Sequence, residues 1–190
     1  MTRHPLLVRP IVATVLLFAF VFSGATDALG QAGPPDLVEK LGCSRLVDYG
    51  AAAFDADSHR VTHPLLPLAP GSQRVFEGRS STTGAVLPHR VTFTVTSLTK
   101  VVDGARSAVV WDVDESDGKL AETELAVFAQ DHAGNVWNLG EYPEEYPGGV
   151  FRGAPDTWFS GVGDAEPGIH MLEQPEVGLP EYLQGWVAAV

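Results

Sequence analysis

The stretch FAQDHAGNVWNLGEY, Phe128 to Tyr142, gathers acid, amide, histidine, glycine and tryptophan within a few positions. Gln130, Asn138 and Glu141 are its polar side chains suited to a ligand cavity. Trp137 supplies an aromatic wall, and Trp158 stands downstream in a segment able to cover it. Small-molecule sites are mostly apolar with a few placed polar groups, so these five are the candidate ligand-binding residues. The same stretch also has a structural reading. Asp131 can bond back to backbone N–H groups while Gly134 and Asn135 tolerate positive φ, the requirements of a hairpin loop.

Other groups reach less far. Asp112-Val113-Asp114-Glu115-Ser116-Asp117-Gly118 is acidic like a calcium loop, but its glycine falls one place late and position 12, counted from Asp112, is Thr123. It reads as a solvated turn. Glu122 and Glu124 share a strand face. The carboxylate pairs of glycoside hydrolysis come from separated elements, so these two read as a solvated face. His59 and His63 have the i, i+4 spacing of zinc ligands, but Pro64 follows and no helix is indicated. His89, His132 and His170 are scattered and read as surface or turn residues. Nucleophile-elbow, phosphate-loop and dinucleotide signatures are missing. No catalytic residue, metal or cofactor is therefore assigned from sequence.

The elements that must position these residues read as β. Gln73 to Gly78 is a short strand. In HRVTFTVTSLTKV, Val91, Phe93 and Val95 alternate with Thr92, Thr94 and Thr96, a period of two in β-branched and aromatic residues. Asp103-Gly104 turns the chain into Ser107–Asp114. ESDGK turns it into Leu120–Asp131, and HAGN leads to a strand at VWNLGEY. The expected fold is mainly β: an antiparallel meander forming a twisted sheet, half-barrel or barrel. Residues 143–180 are dense in proline and glycine and read as covering loops and short edge strands pinned by Trp158, Phe159, Ile169 and Met171.

Arg3 and Arg9 precede the apolar run Ile11–Gly24, and Ala28-Leu29-Gly30 offers a small-x-small cleavage site. That order reads as a secretory signal helix over residues 1–30, too short for the roughly 20 apolar residues of a membrane span. Residues 31–62 follow as a leader, either a short helix or disordered, and 63–190 as a single β domain. The expected location is secreted, periplasmic or cell-envelope, with no membrane span after cleavage. Cys43 is the single cysteine, so an intramolecular disulfide is excluded. Residues 31–111 carry eight Lys/Arg against seven Asp/Glu, whereas 112–190 carry two against sixteen. Such a surface repels phosphate backbones and anionic lipid, which argues against nucleic acid and favours cations, basic proteins or neutral ligands.

Three ordered landmarks carry a resemblance. The first is His63-Pro64-Leu65-Leu66-Pro67-Leu68 with Pro70-Gly71 and Phe76-Glu77-Gly78. The second is Phe128-Ala129-Gln130-Asp131 with Gly134-Asn135-Val136-Trp137-Asn138 and Gly140-Glu141. The third is Trp158, Gly161-Val162 and Asp164-Ala165-Glu166-Pro167-Gly168-Ile169. From about His59 onward the chain resembles an uncharacterised family of exported bacterial proteins, a domain of unknown function, and the resemblance brings no activity. His63 stands in place of the family's asparagine, Phe128 and Asn138 in place of tyrosines, and Asp164 in place of a glycine. The resemblance implies further strands beyond Tyr182–Trp186, so the chain reads as a C-terminally truncated member, completed by a second chain or marginal in stability.

Two functions from different classes are expected: an exported, non-catalytic module binding a small apolar or amphipathic ligand, or an acidic protein-interaction or structural domain of the cell envelope that takes a basic protein. A carboxylate-dependent hydrolase is a distant third, and a homodimer is compatible with the abrupt C-terminus.

Overall fold

The structure, a computed structural model, describes residues 44–81 and 86–187. The proposed signal segment, Cys43 and the helix suggested before Gly42 lie outside them. Eight strands follow in order: β1 (Gln73–Ser80), β2 (Leu87–Val102), β3 (Ala105–Ser116), β4 (Lys119–Gln130), β5 (Val136–Glu145), β6 (Trp158–Phe159), β7 (Glu166–Met171) and β8 (Gly185–Trp186). They form one antiparallel meander ordered β1-β2-β3-β4-β5-β7-β8, with β6 paired to β5, and the sheet does not close into a barrel.

Turn chemistry sets the register. Asp103 and Gly104 have φ of 48° and 80°, and Asp117 and Gly118 have 52° and 70°. Both central residues of each turn are left-handed, the twist that suits a two-residue hairpin. The β4–β5 loop closes through Asp131 N–H to the Asn135 carbonyl at 2.9 Å and Gly134 N–H to the Asp131 carbonyl at 3.0 Å. Gly134 has φ of 99°, but Asn135 does not share the positive φ expected for it.

Both faces of the sheet are packed, over only part of its area. On one face Val95, Val110, Ala126, Phe128 and Val136 meet Val61 and Leu68 from the proline-rich approach to β1. On the other, Val102, Ala105, Val127, Ala129, Trp137, Leu139 and Ile169 are covered by Val47, Tyr49, Ala52 and Phe54. Residues 44–54 thus lie against the sheet and close its second core. Ser44 pairs with Tyr182 in a parallel bridge, its N–H donating to the Glu181 carbonyl at 2.8 Å while Leu183 N–H donates back at 3.1 Å. No helix among the described residues is long and apolar enough to cross a membrane.

Candidate functional site

The face bearing Val110 and Phe128 changes character partway along the β3–β4 hairpin. Reading across β2, β3, β4 and β5, one row is Val95, Val110, Ala126 and Glu141. The next is Phe93, Asp112, Glu124 and Pro143, and the next Val91, Asp114, Glu122 and Glu145. Two carboxylate pairs therefore stand directly opposite one another, Asp112 with Glu124 and Asp114 with Glu122. Like charges in that relation destabilise a sheet.

These side chains are half-buried rather than freely solvated, which corrects the solvated-face reading of Glu122 and Glu124 and the solvated-turn reading for Asp112 and Asp114, while Asp117 and Gly118 at the turn itself are exposed. Burial, then the neighbouring charges of Glu141, Glu122 and Asp112, pushes the Glu124 carboxyl up to about 9. Burial, with Asp114 and Asp112 next, raises Glu122 to about 7. Burial and then Asp114 raise Asp112 to about 6. Asp114 is also raised, chiefly by burial, against the opposing pull of His89. His89 Nε2 stands 3.4 Å from Asp114 Oδ2. Among the described residues no ion pair joins a lysine or arginine to these four acids. Asp112 Oδ1, Asp114 Oδ1 and His89 Nδ1 are buried without a hydrogen-bond partner. Raised carboxyl pKa values of this kind favour the uptake of protons by the cluster, which relieves its repulsion.

The five residues proposed from sequence divide. Asn138, Glu141 and Trp158 come together. Asn138 Nδ2 donates to one Glu141 oxygen, and Trp158 Nε1 donates to the other at 3.1 Å. Asn138 Oδ1 accepts from Gly140 N–H at 3.1 Å. This chain ties β6 to β5 and leaves both Glu141 oxygens engaged beside Glu124. Gly140 makes the approach feasible, since a Cβ there would stand 2.4 Å from Phe159 Cδ1 and 2.7 Å from the Trp158 carbonyl oxygen. Gln130 is elsewhere. Its Oε1 accepts from Thr62 N–H at 2.8 Å and its Nε2 donates to the Gly134 carbonyl at 3.0 Å, clamping two loops. Trp137 points to the opposite face and donates to Asp131 Oδ2 at 2.8 Å, the carboxylate that also orders Asn135.

The histidines of the described residues lie apart from one another. His63 is buried, accepts Leu65 N–H at Nδ1 and donates from Nε2 to the Glu173 carbonyl, while His59 Nδ1 meets its local Ala56 carbonyl. No group of three His, Cys, Asp or Glu among the described residues is arranged to hold a metal ion. His170, expected at the surface, packs against Phe128 with ring centroids 4.7 Å apart and planes tilted by 54°, and burial pushes it down to about 4.

Asp112, Asp114, Glu122 and Glu124 are what the sequence reading passed over as a site. The signal was their phase. Glu122 and Glu124 keep step with Ala126 and Phe128, and Asp112 and Asp114 with Ala108 and Val110, so all four belong to a core-facing series. Trp111, Val113 and Leu125 alternate with them on the other face, where Trp111 is 48% and Leu125 39% exposed. No protein-family model, curated protein or solved structure matches the chain.

Proposed function

We propose that the chain is a non-catalytic binding module whose carboxylate-bearing face takes a small amphipathic molecule with a cationic group. The cation sits among Asp112, Asp114, Glu122 and Glu124, and the apolar part lies along Val91 and Phe93, which stand opposite Asp114 and Asp112 on β2. One observation carries this reading: two cross-strand carboxylate pairs, half-buried, with no lysine or arginine partner among the described residues. Desolvated acids of that kind are relieved by a proton or by a cation. Export belongs to the same proposal, resting on Arg3, Arg9 and the apolar run Ile11–Gly24 and on the resemblance to exported bacterial proteins.

The test compares n-decylammonium, n-decanol and decanoate by calorimetry at pH 7 in two buffers of different ionisation enthalpy. The expected order is ammonium, alcohol, carboxylate, with protons released as ammonium binds. Glu122→Gln and Asp112→Asn should each weaken the ammonium about tenfold, the equivalent of about 1.4 kcal/mol. Equal binding of all three, or preference for decanoate, would refute the reading.

A second reading has one specific support. Burial and neighbouring charge push Glu124 up to about 9 while Asp112, directly opposite, is raised only to about 6, and such a divergence is the pattern of an acid–base pair. Turnover of a glycoside or ester panel that Glu124→Gln abolishes would favour a hydrolase over a carrier. Salt-sensitive capture of a basic protein, insensitive to these substitutions, would favour the acidic interaction domain.

A further inference from the structure

The two edges of the sheet are built differently. Beyond β5 the ladder is broken into the two-residue β6, the six-residue β7 with Pro167, and the two-residue β8. Short strands, prolines and irregular register are how sheets discourage further pairing. β1, at the other edge, has none of these devices. It pairs with β2 in unbroken register from Gln73 opposite Thr94 to Ser80 opposite Leu87, and it contains no proline. Among the described residues nothing pairs with its outer side.

Charged side chains can also block an edge, but those of β1 are drawn back onto their own chain. Arg74 donates to the Pro67 carbonyl and lies 5.9 Å over the Phe93 ring. Arg79 donates to the Val86 carbonyl, and Glu77 faces Arg90 on β2 at 3.9 Å. Two apolar side chains stand exposed in the middle of the strand, Val75 at 44% and Phe76 at 56%, between exposed Gln73 on one side and Glu77, Gly78 and Arg79 on the other.

We infer that β1 pairs antiparallel with β1 of a second copy of this chain, about a two-fold axis through Phe76. Val95 N–H donates to the Ser72 carbonyl, which turns even-numbered residues of β1 towards β2. The alternation of an antiparallel ladder then aims the backbone groups of Gln73, Val75, Glu77 and Arg79 outward. Centred on Phe76, Val75 faces Glu77 of the copy, Gln73 faces its Arg79, Arg74 faces its Gly78, and Phe76 faces Phe76. No like charges are opposed. Centring one residue later would set Glu77 against itself, and centring one residue earlier would leave the Gly78–Ser80 end unpaired.

Charge tolerates a second copy at this edge: each copy is net positive here, but the register centred on Phe76 sets no like charges opposite one another. β1 and β2 carry Arg74, Arg79, Arg90 and Lys100 against Glu77, whereas residues 112–190 carry two Lys/Arg against sixteen Asp/Glu. Pairing through β1 places the two acidic halves at opposite ends of a continuous sheet, where screening weakens their repulsion. A single strand pair buries less than a standard interface, so the dimer is weak and dilutes apart. The inference is independent of the ligand proposed above.

Sedimentation of the full chain over rising concentration, to roughly 1 mM, should reveal a monomer–dimer equilibrium. Val75→Pro removes a donor only from the open side, a position where edge strands accept proline, and should abolish the dimer. In a Cys43→Ser background, Phe76→Cys should form a disulfide-linked dimer on mild oxidation, because a non-hydrogen-bonded pair brings Cα atoms to about 4.5 Å. Val75→Cys should remain unlinked. A monomer at every concentration, or a dimer that persists in Val75→Pro with Phe76→Cys unlinked, would overturn the inference. A monomer that instead takes up an acidic peptide, a binding lost in Val75→Pro, would overturn it in favour of a foreign strand.

Discussion

The β3–β4 hairpin has two halves built on one ladder. Far from its turn, Val109, Val110, Val127 and Phe128 are buried and sheet faces are packed on both sides. Near its turn, Asp112, Asp114, Glu122 and Glu124 occupy the continuation of one face, and Trp111 and Leu125, cross-strand partners, stand exposed on the other. The backbone continues through both halves, so the difference lies in what covers them. Coverage by 44–54 and 58–68 makes the first half a core. Among the described residues the buried clusters end on β3 at Val110, and the half beyond it holds charge at the expense of raised carboxyl pKa values.

The sharpest way to break this division is to carry the acid into the covered half. Val110→Asp places a carboxylate at a position with no exposure and should cost about 4 kcal/mol or more, enough to unfold the domain in a thermal melt. Gly140→Ala attacks the cover instead. Its Cβ meets Phe159 and the Trp158 backbone, so a loss of about 2–3 kcal/mol is expected in urea unfolding, with increased exposure of Trp158 by quenching.

Glu124 tests the charged half through pH. Its folded pKa is raised from 4.5 to about 9, so the folded state holds the proton that the unfolded state has released. Stability from this group is full below 4.5 and is lost as pH rises through about 9. Glu122 and Asp112 act in the same sense at lower pH. His170 acts oppositely, because its pKa falls from 6.5 to about 4 and its neutral folded form gains stability as pH rises between those values. Between pH 7 and 9 Glu124 dominates, and stability should fall by about 2 kcal/mol. Glu124→Gln should flatten that slope in urea melts at pH 7, 8 and 9. The smallest effect belongs to the uncovered face: Trp111→Thr should change stability by about 0.5 kcal/mol or less despite the size of the side chain.

Much of the architecture was legible because turn chemistry and alternation agree. Asp103-Gly104 and Asp117-Gly118 mark two hairpins unambiguously, and Val91, Phe93 and Val95 announce their face. The hairpin role of Asp131 was also readable, since an acid followed by Gly134 and Asn135 has few other uses. Less of the site could be read. Trp137 and Asn138 are adjacent in a strand and must point to opposite faces, so they could not line one cavity. The carboxylates were hidden because the apolar residues interleaved with them, Trp111 and Leu125, are the ones left exposed. Alternation tells which residues share a face but not which face receives a cover. Here the cover comes from distant chain, Val61 and Leu68 on one side and Val47 to Phe54 on the other, and no local pattern encodes that placement.

The bridge between Ser44 and Tyr182 has a consequence for the order in which the chain can be made. The segment that opens the described body has its hydrogen-bonding partners near the other end, in Glu181 and Leu183. During synthesis from the N-terminus, Val47, Tyr49 and Phe54 can find Trp137 once β5 exists, but the strap over them cannot be fastened until residue 183 has emerged. Closure over so long a separation is slow. The β1–β5 meander is therefore available to form first, and the second core is sealed last.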